Sequence, residues 1–196
     1  MEVHEPSPAY DKRFVSVKEY LEQEKMSIQK HEYYKGEIFA MTGAGSRHNI
    51  IFKNVYLAVG IALKGKRCQP YGSDLRIHIP ENTLFTYPDI SIICGDIINS
   101  PEDEGTAVEP TVIIEILSPA TRNYDRGEKF MLYRDIKTLQ NYVLIDSKSI
   151  HAEVFSINKN NLWELKEYKF VSDNLLINSI DFSLSLQDIY EGTKLA

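Results

Sequence analysis

Thr111-Val112-Ile113-Ile114-Glu115-Ile116-Leu117 is an apolar run of strand length with one carboxylate inside it. A Val/Ile/Leu run without polar alternation is the pattern of a strand covered on both faces, so this stretch predicts a core strand in a layered α/β fold. An ionised carboxylate buried there costs on the order of several kcal/mol unless a cation, a metal or a proton compensates it. Upstream, Tyr87-Pro88-Asp89-Ile90-Ser91-Ile92-Ile93 opens a second apolar strand with an acid placed directly after a proline. Two acids on two core strands point to a hard-cation site, because such ions take oxygen ligands. The competing reading gives each acid an ordinary salt bridge or an exposed strand end.

Around these strands the chain reads as one mixed sheet with helices packed on it. Residues 1 to 14 read as a loose arm, and 15 to 196 as a single domain. Ser16 with Glu19 has the form of a capping box and predicts a helix from about Val17 to about Lys25. Tyr33 to Phe39 reads as a hairpin turning at Lys35-Gly36. Apolar positions from Ile50 to Leu63 predict a largely buried helix over 46 to 64, stopped near Gly65. Alternating Leu75, Ile77 and Ile79 lead through Pro80-Glu81-Asn82 to the Asp89 strand, and a charged loop is expected over roughly 95 to 110. After the Glu115 strand come a helix from about Asn123 to Asp135, a core strand at Asn141 to Asp146, and a hairpin pairing residues 151 to 157 with 162 to 168. A short helix is expected near Ser185.

The 196 residues are 43% apolar and 11% aromatic, which is globular composition. No apolar stretch approaches the ~18 residues of a membrane span, and the first residues lack a basic and apolar leader, so a cytoplasmic location with no membrane partner is expected. Cys68 and Cys94 lack metal-site spacing and are expected as buried free thiols. The net charge of −6 argues against a protein that coats polyanions generally. It leaves room for a nucleic-acid enzyme with a divalent ion and a local basic rim. Candidates for that rim are Lys64, Lys66 and Arg67 at one helix end, and Arg122, Arg126, Lys129 and Arg134 on another helix; the alternative for each is a solvated face.

Side chains two apart on a strand share a face, so Leu117 stands where a Glu-x-Lys nuclease triplet has its lysine. The following helix offers a substitute: Asp125, Lys129 and Tyr133 recur every fourth residue and line one side. Lys129 can then supply the ammonium, or else pair on the surface with Asp125 or Glu128. His48 near the start of the long helix is a candidate base or a hydrogen-bonded structural residue, and Asp74 reads best as a turn residue.

Tyr34-Lys35-Gly36-Glu37-Ile38, His48, Pro88-Asp89, Glu115-Ile116-Leu117-Ser118-Pro119-Ala120-Thr121, Asp125-x-x-x-Lys129-x-x-x-Tyr133 and Tyr142-Val143-Leu144-Ile145-Asp146 together resemble the family called "Uma two". Its members are small bacterial proteins of restriction-endonuclease-like type within the PD-(D/E)XK nuclease superfamily. The resemblance spans roughly residues 15 to 190 and implies a restriction-endonuclease-like core: a central mixed β-sheet flanked by helices, with an added N-terminal helix and hairpin and a C-terminal hairpin. It implies Asp89 and Glu115 as metal ligands, Glu37 as a further one, and Lys129 as the relocated lysine, with His48, Asp125 and Tyr133 as accessory residues. Mg²⁺ is the implied cofactor, with Mn²⁺ as substitute. DNA is the implied substrate, a homodimer the expected assembly, and hydrolysis to 5′-phosphate and 3′-hydroxyl ends the expected reaction. The rival expectation is an inactive nuclease fold that binds DNA or protein. Where relatives read Glu-Tyr-Trp, this chain has Asn141-Tyr142-Val143, and no catalytic role attaches to that segment.

Overall fold

The capping box forms as its residues dictate. Ser16 Oγ accepts from the Glu19 amide at 3.2 Å while the Glu19 carboxylate accepts from the Ser16 amide at 2.9 Å, and α1 (Val17–Met26) starts there. This computed structural model describes residues 14–41 and 43–196, so the arm expected over residues 1 to 14 lies outside the described residues except for Phe14. Helix α1 lays Tyr20 on Tyr33 of the following hairpin, ring centroids 5.0 Å apart. That hairpin, β1 (His31–Tyr34) and β2 (Glu37–Ala40), turns at Lys35 and Gly36, both at positive φ, as a two-residue primed turn requires.

Two mixed six-stranded sheets follow from the chain order. The first runs β2-β1-β5-β4-β8-β7, with β4 (Arg76–Ile79), β5 (Leu84–Thr86), β7 (Asn99–Ser100) and β8 (Asp103–Ala107). The charged loop expected over 95 to 110 therefore contains a hairpin. Its anchor is distant in sequence: the buried Arg76 guanidinium reaches Asp103 Oδ2 and Thr106 Oγ1, each at 2.8 Å, and pins β8 parallel to β4.

The second sheet runs β12-β11-β10-β9-β6-β3, built from β3 (Cys68–Gly72), β6 (Ile90–Cys94), β9 (Val112–Leu117), β10 (Asn141–Asp146), β11 (Ala152–Ile157) and β12 (Trp163–Tyr168). Strand β9 lies inside it, parallel to β10 and antiparallel to β6, and all six of its residues are buried. Val112, Ile114 and Ile116 pack with Ile51, Val55, Val59 and Leu63 of α2 (Ser46–Leu63). Ile113 and Leu117 face the other way, against Tyr133, Tyr142 and Leu144. Glu115 lies between them in the pleat and so shares their face. The five apolar side chains of β9, worth about 1.5–3 kcal/mol each when buried, offset what this one acid costs.

Parallel neighbours β9 and β10 need a crossover, and the helix supplies it: α3 (Arg122–Tyr124) continues through a π-helical turn (Asp125–Lys129) into α4 (Phe130–Tyr133). The chain closes with β13 (Asn174–Ile177), β14 (Phe182–Ser185) and α5 (Leu186–Tyr190), capped by Ser185 as its position predicts. The expectation of free thiols is overturned. Cys68 and Cys94 are register partners on β3 and β6, with Cα atoms 3.8 Å apart, and form a disulfide. Spacing along the chain could not show this, because Gln69-Pro70-Tyr71 carries no strand alternation and the pairing is set by sheet register. Among the described residues, no helix is long and apolar enough to cross a membrane.

Candidate active site

Strand β6 starts one residue after Asp89, so this acid stands at the mouth of the strand. Its Oδ2 accepts from the Ile116 amide at 2.7 Å, which prolongs the β6–β9 ladder with a side chain where the backbone pairing ends at Ile90 and Ile114. The Asp89 amide in turn donates to Glu115 Oε2 at 3.2 Å. Both carboxylates are thus fixed by strand geometry. Among the described residues no protein group donates to Asp89 Oδ1, and the side chain is 20% exposed at the cleft. The amide and carbonyl of a strand residue point to the same edge, so the Ile116 carbonyl also faces the place where β6 has ended.

The crossover helix brings Lys129 onto this pair. Its Nζ lies 2.9 Å from Glu115 Oε1, 2.9 Å from Glu32 Oε1 and 3.8 Å from Asp125 Oδ1, with the residue only 5% exposed. A π turn widens the helix at Asp125–Lys129, a deviation that often marks functional segments. Four residues on, Tyr133 OH donates to Glu115 Oε1 at 2.8 Å. On the other side Thr86 Oγ1 donates to Glu32, and His48 Nε2 lies 3.1 Å from Asp89 Oδ2. His48 Nδ1 is buried without a protein partner.

Three acids surround one ammonium, and the titration shifts follow from that excess. Burial by itself would lower the Lys129 pKa, but Glu115 and Glu32 hold it well above the ordinary value. Burial pushes Glu115 up to about 7; Lys129 opposes this, while Asp125 and Asp89 add to it. Burial likewise raises Asp125. Burial would lower His48, yet its hydrogen bond to Asp89 and that residue's charge carry it upward. The site as built is short of positive charge. Hard oxygen donors, an acceptor without a protein partner and this deficit together fit a divalent cation such as Mg²⁺.

The site forms the floor of a cleft of about 1170 Å³. Asp89, Glu115, Lys129, His48 and Asp125 all line it, and Tyr133 supports it from behind. Glu37 does not line it. It pairs with Tyr34, on the same hairpin face as Glu32 but two residues nearer the turn, roughly 7 Å away at strand rise. Glu32, which no sequence motif singled out, is the hairpin acid that reaches Lys129. Of the expected basic rim, Lys129 reaches the cleft and the rest is displaced. Lys64, Lys66 and Arg67 lie at the far end of α2, while Arg122 and Arg126 pair with Asp146 and Glu153. Lys30, Arg47, Lys148 and Lys194 line the cleft instead. Asp74 is a turn acid paired with Lys30 at 2.6 Å. His151, Glu153 and Glu167 form a second cluster, but Arg126 and Lys169 already neutralise it, and Arg126 donates to His151 Nδ1 at 3.3 Å.

The chain matches the family model Uma2, described as "Putative restriction endonuclease", over residues 17–187. It is 35% identical over 195 residues to the uncharacterized protein slr1290 of Synechocystis sp., with 98% of each chain covered. A second Synechocystis protein, sll1609, is 28% identical over 155 residues, covering 79% of this chain and 88% of its own. In fold the chain resembles a crystal structure from Anabaena variabilis described as a putative nuclease belonging to DUF820. The TM-score is 0.70 at 20% identity, over 85% of this chain and 93% of that one. With a paired Asp89 and Glu115, a lysine from the crossover helix and the family match over most of its length, the chain belongs to the Uma2 family of nuclease-like proteins.

Proposed function

We propose that the protein is a metal-dependent endonuclease that hydrolyses phosphodiester bonds of DNA at the cleft floor. The observation that carries this reading is the convergence on Glu115: the Asp89 amide lies 3.2 Å from one carboxylate oxygen and the Lys129 ammonium 2.9 Å from the other. Asp89 and Glu115 would hold Mg²⁺ or its substitute Mn²⁺, together with the Ile116 carbonyl. When bound, the ion supplies an acidified water and neutralises charge on the phosphate. Lys129, kept protonated by Glu32 and Glu115, faces the phosphate and stabilises the charge added in the transition state. Tyr133 fixes Glu115, and His48 fixes Asp89; both are positioning residues. The products carry 5′-phosphate and 3′-hydroxyl ends.

Calorimetric titration of Mn²⁺ and cleavage of both single-stranded and plasmid DNA test this. Asp89→Ala and Glu115→Ala abolish metal binding, and Lys129→Ala lowers cleavage by roughly 10²-fold at saturating metal. Undiminished Mn²⁺ affinity in both acid variants refutes the metal site. Metal binding without cleavage supports the alternative, an inactive nuclease fold that binds DNA or protein. Light scattering reads the assembly: a homodimer in the cytoplasm suits cutting of both strands, a monomer suits cutting of one.

A further inference from the structure

We propose that the cleft receives a single unpaired nucleic-acid strand, and that Phe39 is the platform on which the base beside the attacked phosphate stacks. The proposal rests on the phosphodiesterase reading above and adds its substrate class.

Phe39 and Glu32 are directly opposed across the β1–β2 hairpin. Opposed residues share a face, with Cβ atoms about 4.5–5.5 Å apart. Glu32 holds Lys129, so the ring lies on the strand paired with the one whose acid holds the ammonium that faces the phosphate. Strand β2 is the edge of its sheet, and Phe39 is 47% exposed there on the cleft wall; among the described residues it stacks on no other ring. Exposed Ile28 and half-buried Met41 extend the same wall, while Arg47 and Lys148 line the cleft as phosphate partners.

An apolar wall beside a catalytic floor has no use for an intact duplex, whose base faces are covered by their neighbours. Phosphate and sugar pressed against Phe39 and Ile28 would lose water without a compensating partner. An unpaired strand presents base faces, and an aromatic platform strengthens its binding by roughly 5- to 150-fold per base. Its flexible backbone can also lower one phosphate to a floor whose Glu115 is only 6% exposed.

Fluorescence anisotropy on the full chain, with Ca²⁺ replacing Mg²⁺ to hold turnover, compares a labelled short oligodeoxynucleotide with the duplex of the same sequence. The single strand is expected to bind roughly tenfold tighter or more, with Phe39→Ala removing most of that advantage and Phe39→Trp keeping it. Melting curves should be unchanged in both variants, since the ring is exposed. Equal or tighter duplex binding, or an unaffected Phe39→Ala, overturns the proposal. If duplex is bound and cleaved, only this inference falls; if neither ligand binds, the nuclease reading falls with it.

Discussion

Lys129→Met replaces a buried ammonium with an apolar chain of similar length, so the perturbation is chiefly one of charge. In the native protein that ammonium lies 2.9 Å from both Glu115 and Glu32 and 3.8 Å from Asp125. Removing one partner of a buried ion pair costs about 3–5 kcal/mol, because the charge left behind has neither water nor a counter-ion. For a chain of this size, at about 2–4 °C per kcal/mol, the melting temperature should fall by about 6–20 °C at about pH 8.5. The loss must shrink in acid. Glu115 already has a folded pKa of about 7, above its ordinary value of 4.5, and loss of the lysine raises it further. The native state then binds more protons than the unfolded chain between those values, so stability falls as pH rises through that window and returns as pH falls. Urea unfolding of both proteins at about pH 5.5 and about pH 8.5 measures this, and the variant's deficit should at least halve at the lower pH. An equal deficit at both values, or none at either, refutes the view of Lys129 as counter-ion to a buried acid cluster.

Tyr133→Phe removes the hydroxyl that donates to Glu115 Oε1 at 2.8 Å and should cost about 1–3 kcal/mol, read by urea unfolding; an unchanged midpoint would show that the bond is dispensable. Reduction of the Cys68–Cys94 disulfide, or its replacement by paired serines, frees a loop of 26 residues and should cost about 3.5 kcal/mol by the chain-entropy relation, visible as a lower melting temperature with dithiothreitol. Adding Mn²⁺ to the wild type should raise its melting temperature more at about pH 8 than at about pH 5.5, because protons compete for Glu115; a pH-independent gain would place the ion elsewhere.

Local sequence determined a good deal. The apolar run at residues 112–117, interrupted only by Glu115, called for a doubly covered strand, and Ser16 with Glu19 for a helix start, because both signals come from residues a few positions apart. The same run made Glu115 conspicuous, since a carboxylate among β-branched residues has to find compensation. Lys129 was legible from helical spacing plus family resemblance, although spacing by itself could not tell a surface pair from a buried one. Tertiary structure decided the rest, and in each case the deciding contact joins segments far apart in the chain. Hairpin pairing brought Glu32, which no sequence motif singled out, onto Lys129, while Glu37, implied by resemblance as a metal ligand, stands two residues nearer the turn. Sheet register set Cys68 against Cys94, and one buried guanidinium turned a charged loop into β7 and β8. The Leu117 position shows the physical reason. Alternation puts Leu117 on the face of Glu115, the packing there sets it against Tyr133, and the positive charge comes instead from the helix that crosses above it. Strand alternation says which side chains share a face; the three-dimensional packing alone says what stands opposite them.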